Sequence, residues 1–154
     1  MFALYRQIGE TWQKVFKDKS GDILERAVAL RRGPTMERIE RPSRLNKARM
    51  LGYKAKEGVV VVRIRVASGG MRRKRPVSGR RPKHLGVLRM KSDEPVQKVA
   101  ERRVWEKHAN LKMLGSYELW VDGKHRWYEC IMIDPAHPVI KKDYDYRRRL
   151  GLVS

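Results

Sequence analysis

Apolar residues recur at helical spacing at the start of the chain. Tyr5, Ile8, Trp12, Val15 and Phe16 predict an amphipathic helix over residues 3–16, broken at residues 18–21. Asp22, with Glu25 three positions on, has the form of a capping box. Ile23, Leu24, Ala27, Val28 and Leu30 then carry a second helix up to Gly33-Pro34. Residues 1–36 therefore form a helical N-terminal segment. A short helix can open after Pro42 with Ser43 as its cap. The period then switches. Residues 59–66 are a β-branched run in which Val62, Ile64 and Val66 share one face and Arg63 and Arg65 the other. That alternation predicts a strand with two guanidinium groups side by side on an exposed face.

Gly69-Gly70 ends the strand. Pro76, Gly79, Pro82 and Gly86 then crowd a stretch without periodicity, so residues 67–92 read as an extended loop. A helix resumes at Pro95, with Val96, Val99, Ala100 and Val104 on one face through about Lys107. Asp122-Gly123 between residues 117–121 and 126–133 is a hairpin signal. The second arm alternates Tyr128, Cys130 and Met132 against Trp127, Glu129, Ile131 and Ile133, and Asp134-Pro135 ends it. Residues 141–154 carry charge but little pattern. The sum is one α+β domain over 1–154: a small, mainly antiparallel sheet with packed helices, two N-terminal helices and a long extended loop.

Charge changes this picture more than composition does. The 154 residues hold 37 Lys and Arg against 17 Asp and Glu, a formal net charge of +20 with a pI near 10.6. Self-repulsion of that size opposes compaction and calls for an anionic partner. The surplus is also concentrated. Residues 58–92 hold eleven Arg and Lys and no acid, whereas the other 119 residues hold 26 basic and 17 acidic. A solvated face intersperses both signs, so surface solubility does not account for the cluster. Arg outnumbers Lys there, and its fork matches phosphate oxygens in pairs. With 6–8 phosphate contacts, affinity should fall with salt at a log–log slope of about −5 to −7.

Other classes find little support. No run of about 18 apolar residues is present to span a membrane. A single cysteine, Cys130, fits a reducing, cytoplasmic compartment and within an apolar strand reads as core. His84, His108, His125 and His137 are scattered, with no metal-ligand spacing and no phosphate-cradling glycine motif. Asp134-Pro135-Ala136-His137-Pro138 reads as a turn rather than an acid–base pair. Trp120, Trp127 and Tyr128 could stack on bases, but their place in a hairpin favours core packing. Zinc-finger spacing, basic-zipper heptads and a helix-turn-helix are missing, so an arginine-rich loop fits folded RNA better than DNA.

Several blocks resemble one family. Arg41-Pro42-Ser43-Arg44, then 47–56 (Lys-Ala-Arg-Met-Leu-Gly-Tyr-Lys-Ala-Lys), then 60–66 with Gly69-Gly70 are similar to the archaeal and eukaryotic large-subunit ribosomal protein L-fifteen-e. Gly79-Arg80-Arg81-Pro82-Lys83, Gly86-Val87, residues 99–103, Trp127-Tyr128-Glu129 and His137-Pro138 continue the likeness. Family members carry Ser-Tyr-Trp-Val in the hairpin where this chain has residues 116–121 as Ser-Tyr-Glu-Leu-Trp-Val. They also commonly run into a longer basic tail, whereas this chain stops at Ser154, which favours an archaeal source.

The resemblance implies a non-catalytic, cytoplasmic component of the large subunit. Its partners would be large-subunit rRNA and neighbouring ribosomal proteins, with no metal, cofactor, membrane or small-molecule substrate. It also implies the contacts: Arg41, Arg44, Lys47, Arg49, Tyr53, Lys54 and Lys56 before the strand, and Arg63 and Arg65 on it. After the strand come Arg72, Arg73, Lys74, Arg75, Arg80, Arg81, Lys83, His84 and Arg89. A free-standing binder such as a chromatin protein or RNA chaperone is the competing class, separable by whether the protein sediments with large subunits. An RNA-modifying enzyme would need a cofactor pocket, and no residues in the sequence point to one.

Overall fold

The computed structural model describes residues 2–18, 21–69, 74, 76–86 and 94–151. In chain order these form helices α1 (Phe2–Asp18) and α2 (Gly21–Arg32), strand β1 (Met36–Ile39), α3 (Leu45–Met50) and β2 (Val59–Ala67). A 3-10 turn (Pro82–His84), α4 (Val96–Lys107), β3 (Lys112–Val121), β4 (His125–Ile133), α5 (Pro138–Lys142) and α6 (Tyr144–Arg149) follow. The strands make one antiparallel sheet in the order β1-β2-β4-β3. The predicted strand, hairpin and helix from Pro95 are all present. The sequence pattern missed β1, the first half of β3, and both C-terminal helices. The rest of the predicted loop, with Arg72, Arg73, Arg75 and Arg89, lies outside the described residues.

The centre of the sheet is covered on both sides, which is why β4 is buried from Trp127 to Ile133. On one side Val60, Val62, Ile64 and Val66 of β2 join Tyr128, Cys130 and Met132 of β4 against Ala100 and Val104 of α4. On the other side Val61, Tyr117 and Ile131 meet Ala48 of α3 and Tyr53. A third cluster, Ile133, Ile140 and Tyr146, fastens α5 and α6 to the end of β4. Both edges are guarded: β1 is four residues long and exposes Glu37 and Arg38, and β3 is irregular at two places.

Covering the second side overturns one expectation. Arg63 and Arg65 are half-buried rather than side by side in solvent, because alternation fixes which residues share a face but not whether that face is covered. Ser43 also departs from its predicted role. Arg44 holds the N-cap position of α3 without a side-chain cap, and the Ser43 hydroxyl turns inward to a buried carboxylate. Asp22 sits inside the first turn of α2, which begins at Gly21.

Candidate RNA-binding surface

A row of polar side chains crosses all four strands and organises the ground beneath the basic segment. Glu37, Arg63, Glu129 and Tyr117 are direct neighbours on β1, β2, β4 and β3. Glu129 has no exposed surface, yet its carboxylate accepts from the Ser43 hydroxyl (2.6 Å), the Ser43 amide (3.0 Å), Arg63 Nη2 (3.1 Å) and the Tyr117 hydroxyl. Burial, reinforced by the neighbouring carboxylate, pushes the Tyr117 hydroxyl well above its ordinary pKa. A buried charge needs such partners. By holding Ser43, the network fixes the chain between Arg41 and Arg44 against the sheet. Arg44 is further placed by its stack over Trp12 (5.7 Å) and a bond to the Glu118 carbonyl (3.3 Å).

Beyond Arg44 the basic residues divide. Arg41, Lys47 and Arg49 are exposed, as are Lys74, Arg80, Arg81, Lys83 and His84. Tyr53 is packed in the core, Arg63 is committed to Glu129, and Arg65 donates to the Arg31 carbonyl (2.8 Å). Lys54 and Lys56 are paired with acids from the C-terminal helices: Lys54 with Asp145 (2.6 Å) and Lys56 with Asp143 (2.6 Å). The bond to Asp145 raises the Lys54 pKa, and the bond from Lys56 lowers that of Asp143. Helix α6 also brings Arg148 and Arg149 beside the turn after α3. Residues 141–154 show no apolar period, so the sequence carries no signal that would place these arginines at the turn.

Two further features bear on chemistry. A cleft of about 630 Å³ lies between the N-terminal helices and the sheet, with Trp12, Ala27, Leu30, Leu119 and Trp120 in its walls. Nothing in the sequence pattern pointed to it. Trp127 and Tyr128 are buried, and so is Cys130, whose thiol is pushed up to about 12 by burial and then by the Glu101 and Glu129 carboxylates. Asp134 and His137 cap turns: Asp134 accepts from the Ala136 amide (2.9 Å) and His137 Nδ1 from the Val139 amide (3.3 Å). Among the described residues no group of three or more His, Cys, Asp and Glu could hold a metal ion, and no helix is long and apolar enough to cross a membrane.

Residues 3–148 match the protein-family model described as Ribosomal L15, in its L15e form. The chain belongs to the ribosomal L-fifteen-e family. The match spans both N-terminal helices, the whole sheet and most of α6. It makes this L-fifteen-e protein a structural component of the large ribosomal subunit.

Proposed function

We propose that this L-fifteen-e protein binds and stabilises folded large-subunit rRNA through a basic surface, without catalysis, while neighbouring ribosomal proteins cover other faces. Its contacts would be Arg41, Arg44, and Lys47 and Arg49 of α3, together with Lys74, Arg80, Arg81, Lys83 and His84 of the loop, all exposed except the half-buried Arg44. The observation that carries this reading is the separation of charge: 58–92 is acid-free, and its described cations outside the sheet are exposed. Exposed guanidinium and ammonium groups carried by α3 and the loop can replace the counterions of a polyanion. Arg72, Arg73, Arg75 and Arg89 belong to the same proposal by sequence. Arg63, Arg65 and Tyr53 serve it as supports, since their side chains are engaged or buried.

The test is binding of the purified chain to protein-free large-subunit rRNA across a salt series. A log–log slope of about −5 to −7 is expected, and a nearly flat dependence would sink the proposal. Sedimentation of cell extract tests the setting: the protein should travel with large subunits, and finding it mainly free or on DNA would favour the free-standing binder.

A further inference from the structure

The turn after α3 and helix α6 form a cleft of about 590 Å³ with Arg49, Gly52, Lys54, Asp145, Arg148 and Arg149 in its walls. Its two sides are locked together. Tyr146, fully buried, donates its hydroxyl to the Gly52 carbonyl (3.0 Å) and accepts from the Lys54 amide (3.1 Å). Arg148 and Arg149 are thereby carried to a place beside the turn after α3. Arg149 is oriented more closely still: its Nη1 donates to the Leu51 carbonyl (3.2 Å), and its guanidinium lies where a Cβ on Gly52 would stand.

The charges in this cleft sort into two groups. Asp143 and Asp145 pair with Lys54 and Lys56, so these acids and lysines neutralise one another. No acidic side chain among the described residues pairs with Arg49, Arg148 or Arg149, and all three are exposed. Three unpaired guanidiniums converging on one concave surface repel one another, and an incoming anion relieves that repulsion. Arg forks suit tetrahedral oxyanions. A cleft open along one side suits a chain of phosphates better than a single enclosed ion.

We propose that this α3–α6 cleft is a second RNA clamp, taking backbone phosphates on Arg49, Arg148 and Arg149, with Lys54, Asp143 and Asp145 acting as struts. The inference rests on the rRNA-binding reading above, but it adds the C-terminal helix, which that reading does not use. It also reassigns Lys54 and Lys56 from contacts to supports.

The test uses the full chain and protein-free large-subunit rRNA, comparing wild type, an R148A/R149A variant and a K98A/R103A variant. The last removes two exposed cations from the outer side of α4, so the two variants lose equal charge. The cleft variant should bind about tenfold more weakly near physiological salt, with a log–log slope shallower by roughly 1.5–2, and the α4 variant should change far less. Equal losses in both, or a wild-type slope in the cleft variant, would overturn the proposal. Thermal unfolding of each variant checks that the fold survives. R148K/R149K keeps the charge without the fork and should recover only part of the affinity; no effect of R148A/R149A alongside steep wild-type salt dependence rejects the clamp while leaving the rRNA reading intact. Crosslinks from Arg148 or Arg149 in intact large subunits should reach nucleotides, and crosslinks only to an acidic protein segment would also reject it.

Discussion

Arg63 and Glu129 face each other across the two central strands, with the guanidinium Nη2 3.1 Å from a carboxylate that has no contact with solvent. Arg63 is itself only 23% exposed at its side chain. The pair makes Arg63 part of the scaffold on which the basic segment is mounted.

Removing one partner of such a pair strands the other. Arg63→Ala should therefore cost about 3 kcal/mol or more of folding stability, read from the urea midpoint. Arg49→Ala, on an exposed side chain, should cost less than about 0.5 kcal/mol. A loss for Arg63→Ala below about 1 kcal/mol would show that Glu129 does not depend on it.

Two glycines hold left-handed conformations that differ in their surroundings. Gly58 (φ +84°) would place a Cβ 2.7 Å from Ile140 Cγ1 and 2.9 Å from His137 Cβ, whereas Gly52 (φ +100°) would meet the end of the Arg149 side chain. The strain of the backbone is common to both, about 1–2 kcal/mol. Only Arg149 can swing aside, since Ile140 is buried. Gly58→Ala should be the more destabilising in thermal unfolding, and the reverse order would refute this account.

Asp143 does three things: it pairs with Lys56, approaches Lys54 at 3.6 Å, and accepts from the Asp145 amide at the start of α6. Asp143→Ala should cost about 1 kcal/mol through the lost cap alone. Amide exchange in α6 should accelerate while that in β4 stays slow. Because the folded Asp143 pKa is depressed, its contribution is complete above the ordinary carboxylate value and disappears as pH falls through the lower folded one. Lys54, raised by Asp145, contributes below the ordinary lysine value and stops doing so as pH rises through its higher folded one. Docking of α6 should therefore be flat through neutral pH and weaken at both extremes, which amide-proton spectra across pH would follow.

With its thiol pushed up to about 12 and its side chain enclosed, Cys130 should resist alkylation at pH 8 in the folded protein and react fully in denaturant. Mass spectrometry after iodoacetamide treatment measures this. Rapid labelling of the native chain would contradict the packing of β4 against α4.

The parts of the fold whose cause is local are legible along the chain. A β-branched run at period two makes β2 whatever surrounds it, Asp122-Gly123 turns the hairpin, and the apolar stripe from Val96 to Val104 makes α4. The excess of positive charge, and its concentration after β2, are equally independent of the fold. Which cations stay exposed depends on long-range packing. Alternation along β2 placed Arg63 and Arg65 on one face, but only the arrival of α3 and Glu129 turned that face into an interior. The four-residue β1 and six-residue α6 are too short to be stable or legible alone; they exist because β2 and the Gly52–Lys54 turn receive them. Asp143 and Asp145 pair with two lysines that look free in the sequence, and Arg148 and Arg149 line the same turn from about a hundred residues away. Such long-range pairing leaves no local period to read.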